Sequence, residues 1–191
     1  MAKKTKHKEE VVITPKSVLR EVLETSIYIF SVLVAAYLVV HYIGQRTEVI
    51  GGSMELTLFD GDNLIVDKIS YRFRQPKRFE IVVFPYRYDT DTLYIKRVIG
   101  LPGEKVQITN EGDILINGNK LSEHYGRETM LDPGRAAVEI ELGDDEYFVL
   151  GDNRNNSRDS RWEDVGSISK DEIVGRAIYR IWPFGEWGKV D

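Results

Sequence analysis

The chain has 191 residues, 26 Lys and Arg against 31 Asp and Glu, a formal net charge of −5 and no cysteine. That length suits one domain with its own core plus an attached segment. The composition excludes a disulfide framework, thiol catalysis and thiolate metal sites, and a net acidic chain without a DNA-reading motif argues against nucleic-acid binding.

The N-terminal stretch differs in sign from the rest. Between Met1 and Thr25, six cations (Lys3, Lys4, Lys6, Lys8, Lys16, Arg20) outnumber four anions (Glu9, Glu10, Glu21, Glu24), which leaves −7 on the remainder. Residues 1–25 read as a cytoplasmic basic tail and 26–44 as a transmembrane helix. Ile27 to Ile43 contains Ser31 and His41 but no Asp, Glu, Lys or Arg. As a helix it spans roughly 26 Å at about 1.5 Å per residue, close to a bilayer core. A buried soluble helix is the competing reading. The membrane is favoured because the segment is apolar all round, cations precede it, and Tyr28 and Tyr42 sit at its ends. Gly44-Gln45-Arg46-Thr47 offers no small-x-small cleavage site, so the helix is expected to be retained. The lysines then put the N-terminus in the cytoplasm and residues 45–191 outside, on the cell membrane's far face.

Beyond the helix, short runs rich in Val, Ile, Tyr and Phe alternate with turn residues. Strands are expected at 63–69, 80–84, 93–99, 106–109, 113–116, 138–142, 147–150 and 173–181. Asn117-Gly118 is a strong hairpin signal and Asn110-Glu111-Gly112 a second turn. The pattern predicts a mainly β fold, an antiparallel sandwich or barrel-like domain following one N-terminal transmembrane helix. His7, His41 and His124 lie far apart, and no HExxH-like pair occurs, so no metal and no other cofactor is expected.

Three segments carry chemistry. In Val49-Ile-Gly-Gly-Ser-Met-Glu-Leu-Thr-Leu-Phe-Asp-Gly-Asp62, Ser53 follows two glycines where the backbone bends and a substrate chain can approach; an ordinary loop serine looks the same. In Leu93-Tyr-Ile-Lys-Arg-Val-Ile-Gly-Leu-Pro-Gly103, Lys96 lies within an apolar strand. An exposed strand lysine is the bland account. If its face is buried, desolvation lowers the amine's pKa and makes it a base for a serine hydroxyl, which is a poor nucleophile alone. The third, Tyr147-Phe-Val-Leu-Gly-Asp-Asn-Arg-Asn-Asn-Ser-Arg-Asp-Ser-Arg161, runs a strand into a dense polar turn, either structural or holding a site together.

Helix, serine box, lysine box and the GDNRxxSxDSR box, in that order, resemble the type I signal peptidases (leader peptidases) in their Gram-positive-like form. The resemblance implies a membrane-bound serine endopeptidase that removes signal peptides from exported preproteins after Ala-x-Ala-like sites. Ser53 is then the nucleophile, Lys96 the general base, and Ser157 the hydroxyl that orients the lysine. Asp152, Asp159, Arg97 and Arg161 hold the site together, with Arg97 expected to pair with Asp159. Gly51 stands beside the oxyanion site, and Met54, Leu58, Tyr94 and Ile95 line shallow pockets for a substrate lying as an added strand. Preproteins and membrane lipid are the implied partners; Ile181-Trp-Pro-Phe-Gly-Glu-Trp187 either contacts the outer leaflet or closes the core. Two positions depart from the family pattern. Leu56 stands where proline is usual, and Gly51 where some members carry a serine that supplies a second oxyanion donor. A catalytically weak or inactive membrane-anchored β-domain that binds exported proteins is the alternative, with Leu56 its only support. A self-cleaving repressor lacks its DNA-binding domain here, and Tyr-Ile-Lys-Arg argues against the branch that uses histidine.

Overall fold

The computed structural model describes residues 15–38 and 44–190, which fall into two units divided at Val40. The first unit's helix α1 (Pro15–Leu38) begins with proline at its first turn, where a missing N–H costs nothing. Val18–Leu38 is long and apolar enough to cross a membrane, and none of its side chains is buried by the chain itself. Ser26 and Ser31 return their hydroxyls to the helix backbone, at Val22 O and Tyr28 O, which leaves no polar group in the apolar surface unsatisfied at those positions. The helix starts well before the expected residue 26, since Arg20 and Glu24 form an i,i+4 pair on it. His41, Tyr42, Ile43 and most of the basic tail lie outside the described residues.

The second unit is antiparallel β throughout. Its large sheet contains β1 (Gly44–Glu48), β2 (Asn63–Asp67), β3 (Ile81–Tyr86), β4 (Asp89–Gly100), β9 (Glu146–Leu150), β10 (Ile168–Ser169) and β11 (Gly175–Trp182), in the order β1-β2-β11-β3-β4-β9-β10. A short strand β12 (Gly188–Lys189) adds to β11. The smaller sheet, β7-β6-β5-β8, is built from β5 (Lys105–Ile108), β6 (Ile114–Ile116), β7 (Asn119–Lys120) and β8 (Ile140–Glu141). Asn117 and Gly118, both with positive φ, make the tight turn between β6 and β7 that their sequence predicts.

Where boundaries differ from the sequence expectation, side chains explain it. The strand expected over 63–69 stops at Asp67, whose Oδ1 accepts the N–H groups of Ile69 and Ser70 and turns the chain into the one-turn helix α2 (Ser70–Phe73). The strand expected over 138–142 shrinks to Ile140–Glu141, which pair only with Val106 and Lys105 of β5. β1, with the polar sequence Gly-Gln-Arg-Thr-Glu, is a sheet-edge strand with no apolar alternation to announce it.

Three apolar clusters make the core. One, including Met54, Leu58, Leu64, Val66 and Ile95, lies beneath the loop that carries Ser53. A second, around Ile99, Val106, Ile114, Phe148 and Leu150, joins the small sheet to β4 and β9, and a third collects Val82, Phe84, Val98, Tyr147 and Val149. Trp182 and Trp187 belong to none of them. Both rings are exposed, against Phe184 and Tyr179 respectively, so the core-closing reading of that segment is replaced by a surface aromatic cluster.

Candidate active site

Ser53 sits on the loop between β1 and β2, and the loop is closed at its base. Val49 N–H donates to Asp62 O, and Gly61 N–H returns to Val49 O. Met54 and Leu58 drive two side chains into the core below, each contributing about 1.5–3 kcal/mol by burial. Thr57 and Leu58 N–H groups both bond to Met54 O, and Arg180 from β11 holds Thr57 O. The turn that carries Ser53 is thereby defined without a proline. Leu56 points its side chain outward, 62% exposed.

Lys96 comes from the middle of β4, where both faces are covered. Ile95 joins the core beneath the loop, Val98 joins another cluster, and Lys96 is only 4% exposed. Its Nζ lies 2.8 Å from Ser53 Oγ, donates to Ile95 O at 2.9 Å, and stands 5.1 Å from the centre of the Tyr94 ring. Burial pulls the amine from its ordinary value down to about 8, opposed by the negative charges of Asp159 and Asp152.

Behind Lys96, Arg97 is fully buried and forks onto Asp152, Nε to Oδ1 at 2.9 Å and Nη2 to Oδ2 at 2.8 Å. It also donates to Phe79 O and stacks its guanidinium 3.7 Å from the Tyr125 ring centre. Thr57 Oγ1 donates to the same Oδ2 that accepts Arg97 Nη2, so Asp152 ties the turn that carries Ser53 to the strand of Lys96. This corrects the expected pairing of Arg97 with Asp159. Arg97 lies opposite Leu150 in register, and Asp152 is two residues farther along, the reach of one strand alternation. Asp159 instead receives Arg161, Nε at 2.8 Å and Nη2 at 2.9 Å, and accepts Gly151 N–H.

Ser157 is brought to the site, but its Oγ is buried with no hydrogen-bond partner among the described residues, in place of the expected bond to Lys96. Gly151 packs between it and Ser53: a Cβ there would run into Ser157 Oγ and Ser53 O. Gly151→Ala is therefore expected to cost about 1–3 kcal/mol, as overpacking does, and to displace Ser53. A melting curve unchanged from wild type would contradict that tightness.

A cleft of about 630 Å³ opens over Ser53 and Lys96, lined among others by Val49, Ile50, Met54, Leu93, Tyr94 and Ile95. Three of the expected pocket residues, Met54, Tyr94 and Ile95, line it. Leu58, packed with Met54 in the cluster beneath the loop, does not reach it. Gly51 lies off the cleft wall too, with φ of 86° and its N–H committed to Asp60 Oδ1. Strand β9 pairs with β4 only from Arg97 onward, so the stretch before it meets β3 on one side and has an unpaired edge on the other. Ser53 N–H has no acceptor among the described residues.

Sequence reasoning missed Thr57, Tyr125, Asn153 and the pair Glu55–Arg127. Asn153 was signalled by the density of Asn and Asp after Gly151. Arg127, 72 residues from Glu55, carried no local signal. No group of three or more His, Cys, Asp or Glu among the described residues is placed to hold a metal.

The family model described as signal peptidase, peptidase S26, matches residues 22–182. A Synechocystis protein named "Probable signal peptidase I-2" is 41% identical over 150 residues, 74% of this chain and 65% of that one. The Staphylococcus aureus "Signal peptidase IB" is 34% identical over 183 residues, covering 88% of this chain and 93% of the other. The crystal structure of a signal peptidase I from Enterococcus faecalis is 32% identical and covers 54% of this chain and 97% of that chain, with a TM-score of 0.46. With the serine, lysine and GDNR segments meeting at one cleft and most of its length matched, this chain belongs to the signal peptidase family, peptidase S26.

Proposed function

We propose that the chain is a membrane-anchored serine endopeptidase that removes signal peptides from exported preproteins after Ala-x-Ala-like sites, using Ser53 and Lys96. The observation that carries this reading is the 2.8 Å approach of Ser53 Oγ to a lysine amine that is almost wholly desolvated. A buried amine brought down to about 8 is neutral in roughly a tenth of molecules at pH 7, enough to act as a base.

Neutral Lys96 accepts the Ser53 hydroxyl proton as Oγ attacks the scissile carbonyl. Negative charge grows on the carbonyl oxygen, and Ser53 N–H is the donor available to it. The tetrahedral species collapses, the C–N bond breaks, and protonated Lys96 gives its proton to the leaving amine. Lys96 then takes a proton from water, which attacks the ester and frees Ser53. Arg97, Asp152, Asp159 and Arg161 act as supports for these two groups and do not touch the reacting atoms.

The substrate lies along the free edge of β4 as an added strand, with small side chains facing Met54, Tyr94 and Ile95. Helix α1 anchors the chain in the membrane, with its basic tail in the cytoplasm and the β domain outside; preproteins and membrane lipid are its partners. Each pocket discriminates by only a few kcal/mol, so anchoring adds selectivity by presenting the cleavage site at the bilayer.

The test is to incubate the full chain, in detergent or vesicles, with a preprotein bearing Ala-x-Ala and sequence the product's N-terminus. One cut after the −1 alanine is expected, slowed at least about tenfold when that alanine becomes tryptophan. Absence of cleavage, or a cut indifferent to the −1 residue, would overturn the reading.

A further inference from the structure

The geometry points to Asn153 as a positioning residue that aims the oxyanion donor, an inference that rests on Ser53 being the nucleophile. Asn153 is 3% exposed, at the end of the strand-to-turn segment that follows β9. Its side-chain amide nitrogen donates to Gly52 O at 2.9 Å and to Glu55 Oε2 at 3.2 Å, and its backbone N–H donates to Ser53 O at 3.0 Å. Two successive carbonyls of the nucleophile turn are thus fixed by one residue 100 positions away.

The first of these bonds has a directional consequence. Gly52 O and Ser53 N–H belong to the same trans peptide unit, so they point in opposite directions across one plane. A donor that fixes the carbonyl on the protein side fixes the N–H on the cleft side. That N–H has no acceptor of its own among the described residues. Hydrogen bonding at the carbonyl also polarises the peptide and strengthens its N–H as a donor. The rest of the turn gives the plane little other restraint. Gly52 has no side chain, and among the described residues the only other bond to its carbonyl is a long one from Glu55 N–H at 3.3 Å.

Asn153 is itself held in place. Glu55 Oε2, which accepts its amide, also receives Arg127 Nη1 at 2.7 Å, and Arg127 N–H donates to Asp152 O. The amide rotor cannot flip without losing both acceptors. Glu55 and Arg127 therefore set the amide, the amide sets the Gly52–Ser53 plane, and the plane sets the donor. Since the donor's full strength is called on only when negative charge appears on the substrate oxygen, the effect falls on the chemical step and not on substrate capture.

The experiment compares the full-length wild type with Asn153→Ala and with Asn153→Asp, which keeps the shape but removes the donor. Readouts are cleavage kinetics of the Ala-x-Ala preprotein and affinity for a peptide aldehyde ending in an alanine aldehyde. Ser53 Oγ adds to that aldehyde carbon, leaving an oxygen in the oxyanion position. In both variants kcat is expected to fall about 10–100-fold with KM changed less than about threefold, and aldehyde affinity to fall in step with kcat. The pH midpoint of kcat/KM stays with Lys96 and does not move. A loss confined to KM, a shifted pH midpoint, unchanged aldehyde affinity, or a restored rate in Asn153→Asp would each overturn the inference. So would failure of both variants to fold, which would assign Asn153 to stability alone. If the wild type itself does not cleave, it is the function that fails and not this positioning role.

Discussion

Lys96→Met is expected to lower cleavage about 10⁴-fold or more and, at the same time, to make the protein more stable at neutral pH. The first effect follows, on the proposed mechanism, from losing the base beside Ser53. The second follows from burial. In the unfolded chain the amine keeps its ordinary value of 10.5, whereas in the fold it is about 8. Between those values the unfolded state binds more protons than the folded one, so stability rises with pH across that window. Below about pH 8 both states are protonated, and the fold carries the whole cost of a desolvated ammonium. At about 1.4 kcal/mol per unit of pKa, methionine, of similar length and uncharged, removes about 2–3 kcal/mol of that cost at pH 7. The gain should shrink as pH climbs from about 8 through 10.5, above which the wild-type amine is neutral in both states.

The same property sets the pH dependence of the wild type. Its kcat/KM is expected to rise about tenfold per unit below pH 8 and then level off, since only the neutral amine accepts the Ser53 proton. Melting curves of wild type and Lys96→Met across pH 7–10, read beside the pH–rate profile, check both statements together. A variant that melts below wild type at pH 7, or a rate indifferent to pH between 6 and 9, would show that the amine is not held as a desolvated base.

Most strands were legible because their apolar residues recur at a strand's spacing: β2, β3, β4, β5, β6 and β9 each place Val, Ile, Leu or Phe into a cluster. Polar β1 was not, as an edge strand buries little. For the site, order and spacing of three motifs located Ser53 and Lys96, but depth and partner choice were invisible. Leu58 and Met54 sit four residues apart on one loop and pack into the same cluster, and nothing local says that Met54 alone also reaches the floor of the cleft. Asp152 and Asp159 were both available to Arg97 by sequence; only the antiparallel register between β4 and β9 selects Asp152. Ser157 shows the same limit, since proximity to the site does not fix which way a hydroxyl is bonded.

That register gives the second large effect. Asp152→Ala leaves the fully buried Arg97 guanidinium without its forked partner and Thr57 without its acceptor, and is expected to cost about 3–5 kcal/mol. Loss of stability alone would not separate scaffolding from catalysis, but the pair can be removed together. Asp152→Leu with Arg97→Met takes both charges out of the interior and fills the space with apolar groups, a change that is often neutral for stability. The double variant should therefore melt closer to wild type than Asp152→Ala does. Its activity should stay low, because the Thr57–Asp152–Arg97 chain that joins the nucleophile turn to the strand of Lys96 is gone. Stability recovered without cleavage would assign the ion pair to holding Ser53 Oγ and Lys96 Nζ at 2.8 Å. Recovery of both would reduce it to a folding element, and recovery of neither would mean that the site's interior cannot be filled without the charges.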